Sequence, residues 1–333
     1  MKILIIGTGY IGGTLIKYLS PNYKIVCLDH GRYRKRIEKE VSNVLFYEGD
    51  ALDEDLLDAA MRDCEIVFNL IGGGGNAACT REPLKYVRAY VLGTQKIIKK
   101  SEERNVRHIF LPSSISVYPW IERGVTKTLT EDTMPSPNDM YGALKLAQEL
   151  MLENSSLNYT ILRLANVYGY SYVNPIQEGG ALGNFIKAVF TDEVIRIYRT
   201  GEQTIDYIHI NDLCEGIGLL IRKDLEKRRL YNMGGGKLIT IEELAKIVSN
   251  LATQLFHKKN RIEKVLPPPH SPTKDYALMS INKIKSDLNW VPKTNLTDGI
   301  KDMMLRYDQL LKGLSKSKID SSFDNNLFSG ACY

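Results

Sequence analysis

Blocks of apolar residues alternate with helical patterns along the first half of the chain. Residues 2–6 are almost continuously apolar, which is typical of a strand buried on both faces of a parallel sheet. After a short turn, residues 13–19 repeat apolar positions at helical spacing. Further strands are predicted at 24–28, 44–47, 65–71, 106–111 and 159–164, and helices at 53–61, 83–104 and 140–154. Strands that alternate with helices predict an α/β fold with a doubly wound parallel sheet.

The pattern changes after residue 169. Residues 170–205 are interrupted by glycine, asparagine and proline and contain one predicted helix near 184–190. Beyond them we predict a strand at 206–209, a helix at 212–222, a strand at 231–233 and a helix that begins after Thr240. The chain is therefore expected to form a larger domain of residues 1–169, with return segments at about 206–235, and a smaller mixed α/β domain of residues 170–205 and 236–312. The Ser-, Asn- and Lys-rich residues 313–333 are expected to form a flexible tail.

Three spaced glycines follow the first predicted strand. Gly7, Gly9 and Gly12 match the G-x-G-x-x-G fingerprint, in which the glycines allow a tight turn, close approach of a pyrophosphate and close packing of helix on strand. Asp29 lies about 20 residues further on, where a carboxylate binds the hydroxyls of an adenosine ribose. An ordinary strand–helix turn is the alternative. The combination of strand, turn, helix and distant acid favours nucleotide binding.

A second candidate site combines Ser114, Tyr141 and Lys145. Tyr141 and Lys145 are four residues apart in a predicted helix and therefore share one face. A phenol has an ordinary pKa of about 10, and a nearby ammonium group favours its anion, so the pair suits acid–base catalysis. Ser114 follows a predicted strand, at the edge where ligands bind in parallel sheets. The alternative is an amphipathic helix whose tyrosine packs and whose lysine reaches solvent, but the glycine fingerprint favours catalysis.

Composition limits the other classes of function. The net charge of +5 is spread over 333 residues, and the densest basic cluster, at 32–39, is interrupted by apolar and acidic residues. We therefore expect no binding to nucleic acid or membrane and interpret the cluster as a solvated loop or an edge that faces phosphate. The five cysteines show no C-x-x-C and no paired spacing, which indicates a reducing, cytoplasmic location. No metal site is predicted.

Several motifs together resemble those of the extended short-chain dehydrogenase/reductases, in particular the NAD-dependent nucleotide-sugar epimerase/dehydratase group. These motifs lie at residues 7–12, 49–50, 113–118, 141–145, 163–169, 201–209 and 288–292. The resemblance implies a Rossmann domain that binds NAD and a C-terminal domain that binds a nucleotide-sugar substrate. It also implies a homodimer formed through the helices of residues 83–104 and 140–154.

The resemblance further implies roles for individual residues. Asp50 would bind the adenine edge, although it could instead cap the next helix. Lys145 would donate to the nicotinamide ribose, and Ser114 or Ser116 would steady the reacting hydroxyl. Asn166 would contact the substrate diphosphate, unless it merely closes a turn. The predicted cofactor contacts are Gly7, Gly9, Tyr10, Ile11, Gly12, Asp29, Asp50, Ala51, Leu70, Gly72, Tyr141 and Lys145, and the predicted substrate contacts are Ser114, Ser116, Asn166, Asn184 and Lys274.

Some positions depart from the usual pattern of this group. Dehydratases and decarboxylases of the group place an acid directly after the catalytic serine or threonine, whereas this chain has Ile115 and Ser116, which disfavours 4,6-dehydration. Ile205 stands where an arginine usually contacts the diphosphate, and Tyr90 stands where an asparagine is usual. Residues 72–75 are four glycines in place of a bulkier loop beside the cofactor. A substrate smaller than usual, or of different charge, is one hypothesis that would explain these changes.

We therefore predict an NAD-dependent epimerase that acts at C4 of a UDP-sugar through a transient 4-keto intermediate. Asp29 favours NAD over NADP because a carboxylate repels a 2′-phosphate, whereas Arg32 or Arg34 would attract one. Two alternatives stay open. One is an NAD(P)H-dependent reductase of a keto-sugar nucleotide, and the other, of a different class, is a non-catalytic sensor or scaffold that binds NAD(H).

Overall fold

A computed structural model describes residues 1–121, 128–175, 180–266 and 277–313. Its main feature is a sheet of seven parallel strands in the order β3-β2-β1-β4-β5-β7-β11. These strands are β1 (Lys2–Ile6), β2 (Lys24–Asp29), β3 (Val44–Glu48), β4 (Ile66–Asn69), β5 (His108–Ser114), β7 (Tyr159–Leu164) and β11 (Arg229–Met233). The predicted doubly wound parallel sheet is confirmed.

Helices cover both faces of this sheet, because its central strands are apolar on both sides. In β1, Ile3 and Ile5 belong to one buried cluster, whereas Leu4 and Ile6 belong to the cluster on the opposite face. The first ten helical elements are α1 (Tyr10–Leu19), α2 (Arg34–Glu40), α3 (Glu54–Met61), α4 (Gly75–Arg81), α5 (Pro83–Val87), a π-helical turn (Arg88–Gly93), α6 (Thr94–Glu103), a 3₁₀ turn (Ile115–Val117), α7 (Met140–Glu153) and α8 (Ala181–Phe190). They are followed by α9 (Ile210–Arg222), α10 (Ile241–Phe256), α11 (Asn282–Leu288) and α12 (Leu296–Gly313).

The remaining strands form small sheets near the C-terminal half. The strands are β6 (Thr128–Leu129), β8 (Asn166–Tyr168), β9 (Ile195–Tyr198), β10 (Thr204–His209), β12 (Leu238–Thr240), β13 (Ile262–Val265) and β14 (Leu278–Met279). β10 pairs with β8 and β12, β9 with β13, and β6 with β14. A separate buried cluster joins α8, α10, α12 and β9. Within the segment predicted to return to the large sheet, only β11 enters it, while α9 packs on α1.

Three parts of the pattern were interpreted incorrectly. Residues 34–40 form helix α2 rather than a loop, and Ile37 is its single buried residue, so its periodic signal is weak. The alternative of an edge that faces phosphate stays a prediction. Helix α4 was not predicted, because it begins among glycines at Gly75. The helix predicted over 83–104 is interrupted by the π-helical turn. The predicted tail lies outside the described residues from 314 onward, and among the described helices none is long and apolar enough to span a bilayer.

Buried His108 makes the stability of the fold sensitive to acid. Its ring nitrogens lie 2.7 Å from the carbonyl oxygen of Leu225 and 2.9 Å from Oγ1 of Thr160, and burial lowers its pKa from 6.5 to about 4. The unfolded chain therefore binds a proton that the folded chain does not bind between these pH values. The free energy of unfolding should fall by about 3 kcal/mol as the pH drops from about 6.5 to about 4. Urea titrations of the wild-type protein and of His108→Gln should show a smaller loss in the variant; equal losses would contradict this assignment.

Candidate active site

The glycine fingerprint lies at the carboxyl end of β1, beside the carboxyl end of β4. These strands are neighbours at the point where the strand order reverses, which is where doubly wound sheets bind ligands. Gly7 has φ +96°, and a Cβ there would lie 2.6 Å from the carbonyl oxygen of Leu70. A Cβ on Gly12 would lie 2.0 Å from the carbonyl oxygen of Gly7, whereas one on Gly9 would meet nothing within 4 Å. Gly7 and Gly12 are thus required by close packing, and Gly9 faces open space suited to a pyrophosphate.

Asp29 is hydrogen-bonded to this loop. The backbone N–H of Thr8 donates to Oδ2 of Asp29 at 2.7 Å, so one carboxylate oxygen fixes the loop, and contact of the other with a ribose hydroxyl stays a prediction. Oγ1 of Thr8 is buried and has no hydrogen-bond partner within the described residues. These features fit a dinucleotide, whose phosphate oxygens would accept from the loop and from the N-terminus of α1. The fingerprint and the distant acid therefore form one unit.

The neighbouring acidic residues decide one of the open alternatives, the helix cap proposed for Asp50. Asp53, rather than Asp50, caps α3 by accepting from the N–H groups of Asp55 and Leu56, so the helix-cap interpretation of Asp50 is wrong. Oδ1 of Asp50 accepts from the N–H of Leu52 at 2.9 Å in the turn that precedes α3, and its side chain is exposed. Contact of Asp50 with adenine stays a prediction.

Arg34 is occupied by acidic partners. Its guanidinium binds Glu38 at 2.8 Å and Glu48 at 3.3 Å. The Arg32 guanidinium lies over the ring of Tyr33, 5.2 Å from its centroid. A 2′-phosphate would compete with two carboxylates for Arg34, which supports the preference for NAD that Asp29 indicates.

The other predicted cofactor contacts have varied environments. The hydroxyl of Tyr10 donates to the carbonyl oxygen of Gly169 at 2.6 Å, which ties the first turn of α1 to the end of β8. Ile11 and Leu70 are half-buried beside the core, and Ala51 is buried. Their predicted cofactor contacts would be made through the backbone or at the edge of the crevice, and they stay predictions.

A close helix approach brings the first turn of α7, which contains Tyr141, against the segment that follows Ser114. Asp139 caps α7 by accepting from the N–H of Gly142 at 2.8 Å, and a Cβ on Gly142 would lie 2.1 Å from the carbonyl oxygen of Ser116. Only glycine therefore lets the first turn of α7 rest on the segment that follows β5. Oγ of Ser114 accepts from the N–H of Ser116 at 3.1 Å, which leaves the hydroxyl hydrogen of Ser114 available for a ligand. The predicted constellation of Ser114 and Tyr141 thus shares one edge of the sheet.

Lys145 is buried one turn further along α7. Its ammonium group donates to the carbonyl oxygen of Pro112 at 2.8 Å and lies 5.0 Å from the ring centroid of Tyr90. Burial lowers its pKa from 10.5 to about 8, opposed by the nearby Glu149 carboxylate. Lys145 therefore still carries its charge at neutral pH.

A buried ionic network below the site was not predicted. Glu149, one turn after Lys145, forms a two-oxygen contact with the guanidinium of Arg163, with a shortest distance of 2.7 Å, and accepts from the hydroxyl of Ser113. Arg163 also donates to the hydroxyl of Tyr118 at 3.0 Å. The spacing of Glu149 from Lys145 places it on the same helical face, but this spacing does not indicate its partners Arg163 and Ser113.

The residues predicted to contact the substrate lie further apart from one another than the residues of the glycine fingerprint. The side-chain amide of Asn166 donates to the carbonyl oxygen of Asp206 at 3.2 Å and so bridges β8 and β10. Ser116 is half-buried beside Ser114, and Asn184 is exposed on α8. Lys274 lies outside the described residues. Ile205, which replaces the usual arginine, is 8% exposed and pairs with Ile239 in the small sheet.

The chain is similar to known proteins over most of its length. The sequence model of the "NAD dependent epimerase/dehydratase family" matches residues 3–234. A UDP-glucose 4-epimerase of Halalkalibacterium halodurans is 28% identical over 88% of this chain and 91% of its own. A UDP-glucose 4-epimerase of Thermotoga maritima, solved with UDP-glucose, has TM-score 0.79 and 25% identity, and the match covers 93% of this chain and 100% of that one.

A third relative was solved with both a cofactor and a substrate. UDP-glucuronic acid 4-epimerase of Bacillus cereus, in complex with UDP-glucuronic acid and NAD, has TM-score 0.81 at 24% identity, with 93% of this chain and 100% of that chain covered. The similarity at this identity supports the fold. Because the family match spans more than half of the chain, this protein belongs to the NAD-dependent epimerase/dehydratase family of enzymes.

Proposed function

We propose that this protein is a UDP-sugar 4-epimerase that retains NAD between turnovers. The observation that carries the proposal is the shared edge of Ser114, Tyr141 and Lys145, next to the glycine fingerprint and without an acid after Ser114. Elimination of water from a keto-sugar needs a base beside the ketone, and Ile115 offers none. Reversible oxidation at C4 needs a group that exchanges a proton with the C4 hydroxyl and groups that support it, and Tyr141, Lys145 and Ser114 are of these types.

Each side chain has a distinct task in this reaction. Tyr141 takes the proton of the C4 hydroxyl as the ketone forms and returns it after the sugar has turned over. Lys145, charged below a pKa of about 8, stabilises the tyrosine anion through its position on the same helical face and would donate to the nicotinamide ribose. Ser114 donates its free hydroxyl hydrogen to the same substrate oxygen. NAD, when bound, supplies the reversible oxidation of the alcohol.

In this proposal, the predicted division into two domains gives the two ligands different parts of the chain. NAD binds the large sheet through Gly7, Gly9, Gly12 and Asp29, and the nucleotide sugar binds between that edge and the smaller domain, with Asn166 and Asn184 as candidate contacts. Lys274 is proposed as a further contact on its sequence position alone. Reducing, cytoplasmic conditions are proposed because Cys27, Cys64, Cys79 and Cys214 are free and buried. Cell fractionation that finds the protein outside the cytoplasm would contradict the location.

A homodimer is proposed through α5, the π-helical turn and α7. Leu84, Leu92 and Leu150 on these elements are 84%, 54% and 49% exposed, and the three elements pack on one another. A second copy that covers these elements would remove the leucines from water. Sedimentation equilibrium should give twice the chain mass, and a monomer at micromolar concentration would count against the dimer.

The experiment that tests the function begins with protein purified without added cofactor. The protein is denatured and the released nucleotide identified. Fresh protein is then incubated with UDP-glucose, UDP-N-acetylglucosamine and UDP-glucuronic acid, and both product stereochemistry and reduced nicotinamide are followed. Bound NAD, inverted C4 and no net reduced cofactor support the proposal. An empty site that consumes NAD(P)H against a keto-sugar would assign a reductase, and a protein that binds NAD but converts no sugar would favour a sensor.

A further inference from the structure

Two departures from the usual family pattern meet in the structure. Residues 72–75, here called the glycine loop, follow β4 at the cofactor edge, and all four have positive φ, from +58° to +139°. A Cβ on Gly72 would lie 2.2 Å from Cζ and 2.4 Å from the hydroxyl oxygen of Tyr90. The N–H of Gly73 donates to that hydroxyl at 3.0 Å. Tyr90 therefore fills the space that a side chain at position 72 would occupy.

The ring of Tyr90 also touches both residues of the proposed acid–base pair. Tyr90 is 1% exposed, and its ring meets the ring of Tyr141 edge-on, with centroids 6.2 Å apart and planes at 83°. The Lys145 ammonium lies 5.0 Å from the centroid of the Tyr90 ring. A cation over an aromatic face is attracted by the ring, and more strongly where water is excluded. Tyr90 thus contacts the glycine loop, the phenol and the ammonium group at once.

The charge state of Tyr90 suits this position. Burial, followed by the proximity of Tyr141, raises the pKa of Tyr90 well above 10, so its hydroxyl stays neutral. It does not compete with Tyr141 as a base and does not add a second anion beside Lys145. Its hydroxyl accepts from Gly73, and its ring face remains available to the cation.

We propose that Tyr90 is a positioning residue for the epimerase reaction, whose ring holds Lys145 and Tyr141 in place and whose hydroxyl anchors the glycine loop at the cofactor edge. The inference rests on the proposed function for its catalytic consequence, but its two contacts can be tested without a sugar substrate. Because the Tyr90 ring occupies the space that a side chain at Gly72 would need, the effects of substitutions at Tyr90 and Gly72 should be coupled. Simple core packing would predict a loss of stability with no separate effect on the loop or on Lys145.

Two variants of Tyr90 separate the hydroxyl from the ring. Tyr90→Phe keeps the ring and removes the anchor of Gly73, so it should weaken NAD binding by roughly fivefold and leave the titration of Lys145 unchanged. Tyr90→Leu removes the ring, so the Lys145 ammonium loses an attractive partner and its titration midpoint should move to lower pH by roughly half a unit. Calorimetry with NAD gives the first quantity, and NMR of lysine labelled at the side chain gives the second. Lys145→Arg identifies the resonance.

Tyr86→Phe is the matched control. Tyr86 precedes Tyr90 by one turn, its ring centroid lies 6.3 Å from that of Tyr90, and its hydroxyl lies beside Gly74 rather than Gly73. Within the described residues no hydrogen bond, ring contact or cation–π contact joins Tyr86 to Lys145, so the Lys145 titration should match that of the wild type. The folded state of every variant is checked by thermal unfolding.

A double-mutant cycle tests the coupling of Gly72 with Tyr90. Gly72→Ala strains the backbone in both backgrounds, but its clash is with ring atoms that Tyr90→Leu lacks. The destabilisation by Gly72→Ala should therefore be smaller in the Tyr90→Leu background than in the wild type. If Tyr90→Leu does not fold, Tyr90→Phe and Gly72→Ala alone carry the test through NAD affinity.

The outcomes separate this inference from the proposed function. Weaker NAD binding in Tyr90→Phe, together with a shifted Lys145 titration in a folded Tyr90→Leu, supports positioning whether or not any sugar is epimerised. Wild-type NAD affinity in Tyr90→Phe and an unshifted Lys145 in Tyr90→Leu would overturn it and leave Tyr90 as a packing residue. Epimerase activity that is absent in the wild-type protein would instead overturn the function and leave the two contacts intact.

Discussion

Tyr141→Phe is expected to lower kcat of epimerisation by roughly 10²- to 10⁴-fold, the range typical of a lost general acid–base group. The variant removes one hydroxyl and keeps the ring that packs against Tyr90 at the start of α7. Thermal unfolding and NAD affinity should therefore match those of the wild-type protein. The measurement is the rate of C4 inversion of the UDP-sugar that the substrate panel identifies, under saturating sugar.

The pH dependence of the wild-type rate provides a second test of the same pair. Lys145 has a pKa lowered to about 8, so it loses its charge as the pH rises through that value. The rate should decline above about pH 8, because neutral Lys145 no longer favours the tyrosine anion. Full activity of Tyr141→Phe would remove Tyr141 from the mechanism and assign the proton transfer to another group.

The geometry of the candidate nucleotide site could be predicted from sequence because its signals are local. The glycines at 7, 9 and 12 and Asp29 lie within one strand–helix–strand unit, and their spacing sets their geometry. The position of Tyr141 and Lys145 on one face could be predicted equally well, because residues four apart on a helix share a face. The helix-capping alternative for Asp50 was wrong since two acids, Asp50 and Asp53, precede α3 and spacing alone does not say which one accepts from its first N–H groups.

The features that sequence did not reveal depend on contacts between distant segments. Tyr90 and Gly72 were recognised separately as departures from the family pattern. That the Tyr90 ring fills the space of a side chain at position 72 follows only from the packing of the π-helical turn against the glycine loop. Ser113, Glu149 and Arg163 come from β5, α7 and β7, and no local pattern predicts that their side chains meet. Helix α2 has one buried residue, so the tertiary structure rather than its periodicity defines it.

Glu149→Gln is expected to lower the free energy of unfolding by about 3–5 kcal/mol, because it leaves the guanidinium of Arg163 buried without a counter-charge. The side chains of Glu149 and Arg163 are 1% and 5% exposed, so water cannot replace the lost carboxylate. The hydroxyl of Ser113, on β5, also loses an ionised acceptor. Urea unfolding followed by circular dichroism at neutral pH measures the change.

The ion pair of Asp58 with Arg104 is the matched control. It joins α3 to the end of α6, and its side chains are 27% and 38% exposed. Solvent screens such a pair, so Asp58→Asn should cost about 1 kcal/mol or less. Similar losses in Glu149→Gln and Asp58→Asn would show that burial of the Glu149–Arg163 pair carries no special weight.

Glu149→Gln should also change the pH dependence of the active site. The Glu149 carboxylate is the main group that raises the pKa of Lys145 against the effect of burial. Removing its charge should lower that pKa below about 8, so the decline in rate should begin at lower pH in Glu149→Gln than in the wild-type protein. A destabilised variant with an unshifted pH profile would mean that the network supports the sheet alone. A shift in both quantities would mean that one carboxylate both holds β5, β7 and α7 together and keeps the catalytic lysine charged.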